Sequence, residues 1–76
     1  MKTETEIPKD RIRIGQRIAT LRTSQGITQR QLAQRCSITQ PHLARIEQGK
    51  YSVGLDTLSS IAEALGAQVE LITKES

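Results

Sequence analysis

The sequence is poor in aromatic residues: its 76 residues include one Tyr and no Phe or Trp. A hydrophobic core must therefore be made from Ile, Leu, Val and Ala, which pack well at helical spacing. A chain of this length buries only about 60% of the surface that it exposes when unfolded. We therefore expect one small domain at most, of a size that commonly gains stability by dimerising.

Cysteine is equally scarce, because Cys36 is the only one and cannot form an internal disulfide, so nothing indicates secretion. One Cys and one His are too few for a zinc site. No nucleophile comes with a paired base, so the sequence predicts no metal, no cofactor and no enzyme. We interpret Cys36 as a small buried hydrophobe rather than a redox switch.

Long apolar runs are also absent. No segment approaches the roughly 18 apolar residues that span a bilayer, and the N-terminus lacks a signal-type apolar region. We therefore expect a cytoplasmic protein with no membrane partner.

Positive charge, in contrast, is concentrated in one part of the chain. The net charge is +3, but residues 9–50 contain nine Lys or Arg and only two acidic residues, whereas residues 51–76 are net acidic. Such asymmetry is typical of proteins that bind a polyanion. Composition alone fits an ordinary basic surface equally well.

The spacing of apolar residues predicts a first helix after a flexible arm. Residues 1–9 show no periodicity and are predicted to form this arm. Asp10 is the predicted N-cap of the helix. Gly26 suits the left-handed position just after its end. The apolar stripe between them consists of Ile14, Ile18 and Leu21.

Capping signals predict three further helices. Thr28 and Gln31 form a capping box at the start of the second helix. Thr39 caps the third, with Pro41 in the first turn, where its missing N–H is harmless. A fourth helix follows Gly54 and has an apolar stripe of Leu55, Leu58, Ile61, Ala62 and Leu65.

The last ten residues, 67–76, show a different pattern. Val69 and Leu71 alternate with Gln68 and Glu70, which indicates a short β-strand. A lone strand leaves its backbone groups unpaired, so we expect it to pair with the same strand of a second copy about a two-fold axis. Dimerisation through the fourth helix is the alternative.

The central segment, TQRQLAQRCSITQPHLARIEQGK at 28–50, resembles the lambda-repressor-like helix-turn-helix family. The resemblance covers about residues 11–66, with Ser37 standing where the family commonly has Gly. It implies an all-α fold of four to five helices, here with a short C-terminal β-strand that pairs across a dimer. The expected organisation is an arm over 1–9, a helix-turn-helix domain over 10–66, and a strand and tail over 67–76.

The third helix is the expected recognition helix. A helix fits the major groove of DNA, and its N-terminal residues reach the base edges. Arg45 is the candidate for a bidentate contact to guanine, and Gln40 is the candidate for adenine. The other candidate base contacts are Pro41, His42 and Ala44.

Backbone contacts and an ion pair are implied by the same resemblance. Gln29, Gln48 and Lys50 stand where the family contacts phosphates, which fix the register of the protein on DNA. Arg22 and Glu47 are expected to form a partly buried ion pair between the first and third helices, with Arg22 a further candidate for a phosphate contact.

The predicted function is a sequence-specific transcriptional repressor that binds double-stranded DNA as a homodimer on a palindromic operator. The terminal strand also resembles that of antitoxins from kinase-type toxin–antitoxin pairs, which adds a toxin protein as a hypothetical partner. The alternative is a protein-interaction module with the same fold. The basic centre and the outward Arg45 disfavour it, since a protein-binding face is commonly more apolar.

Overall fold

Four α-helices form the part of the chain that the computed structural model describes, residues 7–74. They are α1 (Lys9–Ser24), α2 (Gln29–Arg35), α3 (Gln40–Glu47) and α4 (Leu55–Ala64). The prediction of a helical domain is confirmed by this order. Most of the predicted arm, residues 1–6, lies outside the described residues, as do residues 75–76.

The starts of α2 and α3 follow from local side-chain chemistry. The Thr28 hydroxyl accepts a hydrogen bond from the Gln31 backbone N–H at 3.1 Å, and the Gln31 side chain accepts one from Thr28 N–H at 2.9 Å. This is the predicted capping box. Thr39 caps α3 by accepting from the His42 N–H at 3.2 Å, and Pro41 lies in the first turn. Both predictions are confirmed.

The first helix begins earlier than predicted. Its N-cap is Pro8, whose carbonyl accepts from the N–H groups of Arg11 and Ile12, so the assignment of Asp10 as the cap is wrong. Asp10 lies inside the first turn, where a carboxylate complements the helix dipole. Its side chain pairs with Arg13 at 2.9 Å instead of capping the backbone.

The turn between α2 and α3 depends on Ser37, which adopts a positive φ of 58°. The Ser37 N–H donates to the carbonyl of Gln34 at 3.3 Å, and the Ile38 N–H donates to Ala33 at 3.0 Å. These two bonds are those of a Schellman motif, in which glycine usually takes the left-handed position. Serine therefore forms the tight turn that the family commonly makes with glycine.

The core is entirely aliphatic, as the scarcity of aromatic residues predicts. It is formed by eight residues from all four helices and the loop after α1: Ile18, Ile27, Leu32, Ala33, Leu43, Ile46, Ile61 and Leu65. Leu55, which the sequence predicts on the buried stripe of α4, is 66% exposed. It is the first residue of α4, and the stripe faces the core only from the next turn onwards.

The tail after Gly66 lies beside α1. Gln68, Glu70 and Ile72 of the tail share a groove with Arg13, Arg17 and Thr20 of α1. Tail, α1 and α4 enclose a groove of about 860 Å³. Within the single chain, residues 67–74 form no strand. The strand and its pairing therefore stay a prediction.

Candidate nucleic-acid interface

The helix α3, the expected recognition helix, is attached to α1 by an ion pair. Arg22 donates to the two carboxylate oxygens of Glu47, from Nε at 2.7 Å and from Nη2 at 3.0 Å. A third bond runs from Nη1 to the carbonyl of Ile27 at 2.9 Å. The side chains are only 13% and 6% exposed, and the hydrogen bond to Glu47 raises the pKa of Arg22. Bidentate geometry of this kind fixes orientation as well as distance.

Two glutamines extend this network to the protein surface. Gln29, at the start of α2, donates through Nε2 to Oε1 of Glu47 at 2.9 Å. The Oε1 of Gln29 accepts from Nε2 of Gln40, at the start of α3, at 2.7 Å. The chain of bonds thus holds the N-termini of α2 and α3 side by side.

The opposite side of α3 faces solvent. Gln40, Pro41, Arg45 and Gln48 are exposed, and Ala44 is partly exposed between them. Leu43 and Ile46 of the same helix are buried in the core. A helix that projects one complete face in this way has the shape that enters a major groove. The structure thus brings five residues together on one surface: Gln40, Pro41, Ala44, Arg45 and Gln48.

His42 and Lys50 lie at the edges of that surface. The His42 ring is half-buried and meets the ring of Tyr51 edge-on, with the centroids 4.4 Å apart. Lys50, beside Tyr51 in the loop after α3, is exposed. Sequence reasoning missed Tyr51, because no pattern within the loop indicates a contact with the preceding helix.

Arg22 differs from the other predicted phosphate contacts because its guanidinium points inwards. Three of its N–H groups donate to Glu47 and Ile27, which assigns it to the positioning of α3. Its additional contact with a phosphate stays a prediction. Gln29 is also half-buried and bonded on both sides, whereas Gln48 is exposed.

The described residues do not form a metal site or a membrane-spanning helix, and their one cysteine is partly buried. No group of three or more His, Cys, Asp or Glu side chains is close enough to hold a metal ion between residues 7 and 74. Cys36 caps the end of α2 and packs partly buried against the core, and this burial raises the pKa of its thiol. In the same part of the chain, every helix is too short or too polar to cross a membrane.

Comparison with known families agrees with this geometry. The sequence profile of the helix-turn-helix family HTH_3 matches residues 18–72. The chain belongs to this family. HTH_3 proteins are DNA-binding transcription regulators, and the matched segment includes α2, the turn at Ser37 and α3.

Individual proteins from phages and bacteria are also similar to this chain. The immunity repressor protein of Bacillus phage phi105 is 42% identical over 62 residues, which are 82% of this chain and 43% of the repressor. The chain thus spans less than half the length of that relative. The crystal structure of the restriction-modification controller protein C.AhdI from Aeromonas hydrophila is 30% identical with a TM-score of 0.77, over 80% of this chain and 92% of that protein. A toxin–antitoxin module from Streptococcus pneumoniae is 32% identical with a TM-score of 0.69, over 87% of this chain and 72% of the matched one.

Proposed function

We propose that this protein is a sequence-specific transcriptional repressor that binds a palindromic operator as a homodimer. The observation that carries the proposal is the division of α3 into two faces. One face is fixed from behind by Arg22, Glu47 and Gln29, and the other projects Arg45 into solvent. A reading surface must be held rigidly relative to the contacts that position it, and this arrangement provides that rigidity.

The residues divide into readers, which contact base edges, and anchors, which contact phosphates. Arg45 is the assigned contact to guanine, because its guanidinium matches O6 and N7 bidentately, and it is exposed. Gln40 is the assigned contact to adenine. Its bond to Gln29 orients the amide before DNA arrives, which lowers the entropy lost on binding. The remaining base-edge contacts are Pro41, His42 and Ala44.

Anchoring to the phosphates is assigned to residues at the ends of the helices. Gln29 stands at the start of α2, and Gln48 and Lys50 follow α3. Contacts at both ends fix the register of α3 in the groove without reading sequence. The net positive charge of residues 9–50 supplies the general attraction to the phosphate backbone.

Dimerisation is assigned to the tail, residues 67–76. Leu71 is 99% exposed and Ile72 is 84% exposed, so the single chain leaves both apolar side chains unburied. Pairing with the tail of a second copy would satisfy the backbone groups of both strands and cover the face that carries Val69 and Leu71, since successive side chains of a strand point to opposite faces. A two-fold axis of this kind places two recognition helices about 34 Å apart, one turn of DNA.

An antitoxin role is the more specific version of the same proposal. Its support is the similarity to a toxin–antitoxin module, together with the exposed apolar tail. Co-expression of the protein encoded by the adjacent reading frame tests it: an antitoxin is expected to form a complex with that protein and to relieve its toxicity.

The test of the repressor proposal is selection from a random duplex library with the intact protein. We expect enrichment of a two-fold symmetric motif with half-sites about one turn apart. A duplex with the two half-sites separated by an extra half turn is the control. It retains every base of both half-sites but places them on opposite sides of the DNA, where one dimer cannot bind both. Recovery of no motif would refute sequence-specific binding, and recovery of a single half-site would refute the dimeric mode.

A further inference from the structure

Tyr51 is the one aromatic residue of the chain besides His42, and it is not in the core. Aromatic side chains usually provide much of the buried apolar surface of a small domain. Here the ring is 44% exposed in the loop between α3 and α4, next to the phosphate anchor Lys50. Its position therefore calls for a role at the surface.

The ring of Tyr51 makes contacts in two directions. Towards α3, its centroid lies 4.4 Å from that of His42, with the ring planes at 66°. This edge-to-face arrangement is favoured by the aromatic quadrupoles. Towards α1, Tyr51 lines a cavity of about 150 Å³ together with Arg11, Ile14 and Val53.

These contacts link two parts of the interface that are distant along the helix. His42 lies in the first turn of α3, whereas Lys50 and Tyr51 follow its last residue. The contact therefore closes the loop back onto the reading end of the helix. It also restricts the orientations open to the His42 imidazole.

We propose that Tyr51 is a positioning residue for base recognition. Its ring holds His42 in one orientation and ties the Lys50 anchor to the first turn of α3. This inference rests on the proposed DNA-binding function. Because the ring acts on the alignment of readers with anchors, its loss is expected to reduce base preference more than affinity for DNA of any sequence.

The test uses the intact protein with Tyr51→Leu, Tyr51→Phe, His42→Ala and the double variant Tyr51→Leu/His42→Ala. Leucine keeps an apolar side chain on the cavity and removes the ring, and Ser52→Ala, in the same loop, is the matched control. The measurement is the specificity ratio, defined as the Kd for a scrambled duplex divided by the Kd for the selected operator, with thermal melts of each variant.

We expect Tyr51→Leu to lower this ratio about three- to tenfold, the range of an aromatic pair, while Tyr51→Phe and Ser52→Ala keep it. In the His42→Ala background, Tyr51→Leu should have no further effect, since the two rings act as one unit. Additive effects of the two variants, or equal loss on both duplexes, would overturn the inference. A Phe variant as impaired as the Leu variant would also overturn it, because it would assign the effect to the hydroxyl group.

Failure of this inference is distinguishable from failure of the repressor proposal. If the wild-type protein enriches no motif from the library, the proposed function is wrong. If it enriches a motif and Tyr51→Leu enriches the same one with the same strength, only the role of Tyr51 is wrong.

Discussion

The Cα of Gly15 lies directly against the backbone carbonyl of Glu47. A Cβ built on Gly15 would be 2.5 Å from that oxygen and 2.5 Å from the carbonyl oxygen of Ile46, far closer than van der Waals contact. The axis of α1 can therefore approach the end of α3 only because residue 15 has no side chain. About two turns further along α1, Arg22 then reaches the Glu47 carboxylate.

Gly15→Ala is expected to destabilise the fold by about 1–3 kcal/mol, the range of an overpacked core. In an exposed helix the same change would stabilise by about 1 kcal/mol, so the sign of the effect is diagnostic. Gln16→Ala, at the neighbouring exposed position of α1, is the control. Urea denaturation measures both, and a Gly15→Ala variant as stable as the wild type would refute the close approach of the two helices.

Glu47→Ala is expected to cost roughly 3–5 kcal/mol of folding free energy, because it leaves the largely buried guanidinium of Arg22 without its anion. Glu63→Ala, at an exposed position of α4, should change stability by no more than about 0.5 kcal/mol. Thermal melts of the two variants compare them directly. Equal midpoints would mean that the carboxylate of Glu47 contributes no more than a surface charge.

Helix boundaries were the part of the fold most accessible from sequence, because caps depend on neighbours in the chain. Thr28 and Thr39 each act on an N–H group three residues later, so their pattern is visible locally. Asp10 shows the limit of such local patterns. It is a favourable cap residue, but the helix begins after Pro8, and the Asp10 side chain pairs with Arg13 instead of capping the backbone.

The residues missed were those whose partners are distant in sequence. In the sequence, Gly15 is only a residue of low helix propensity within α1. The close packing of α1 on the end of α3 explains why glycine is needed at this position. The contact of Tyr51 with His42, and that of the Gln25 side chain with the carbonyl of Leu65 at 2.8 Å, likewise require the folded arrangement.

The Cys36 thiol is expected to react slowly with iodoacetamide at pH 8 in the folded protein and rapidly in urea. Partial burial raises its pKa above the ordinary value of 9.0, although the charge of Arg35 acts in the opposite direction. Only the thiolate is nucleophilic, so a raised pKa lowers the reactive fraction. Mass spectrometry of the alkylated protein measures both rates, and equal rates would indicate an exposed thiol.

The same shift predicts how stability depends on pH. Above pH 9.0 the thiol ionises in the unfolded chain before it does so in the folded one. The unfolded state then binds fewer protons, so the contribution of Cys36 to stability is complete below that pH and is lost as the pH rises through the folded pKa. Cys36→Ala should remove this part of the decline between pH 8 and pH 10 in urea denaturation. An identical decline in both proteins would contradict the assignment.

Arg45→Ala is expected to cost about 1–3 kcal/mol on the operator and to relax the preference at one base pair. Lys50→Ala should instead weaken binding to all sequences alike and reduce the salt slope of log K by about one. Site selection and titrations at several salt concentrations distinguish the two. If Arg45→Ala selects the wild-type motif unchanged, Arg45 does not read a base.

Leu71→Lys is expected to abolish dimerisation at micromolar concentration without lowering the stability of the folded monomer. The Leu71 side chain is 99% exposed in the single chain, so a charge at this position removes no contact within the monomer. In the dimer the charge would lie on the apolar face of the paired strands. Gln68→Lys adds the same charge on the other face of the tail and should leave the dimer intact. Deletion of residues 67–76 should have the same effect as Leu71→Lys. Sedimentation measures assembly. A tail-deleted protein that remains dimeric and binds its palindrome as tightly as the wild type would place the dimer interface elsewhere. The next surface to test would then be α4 with its exposed Leu55.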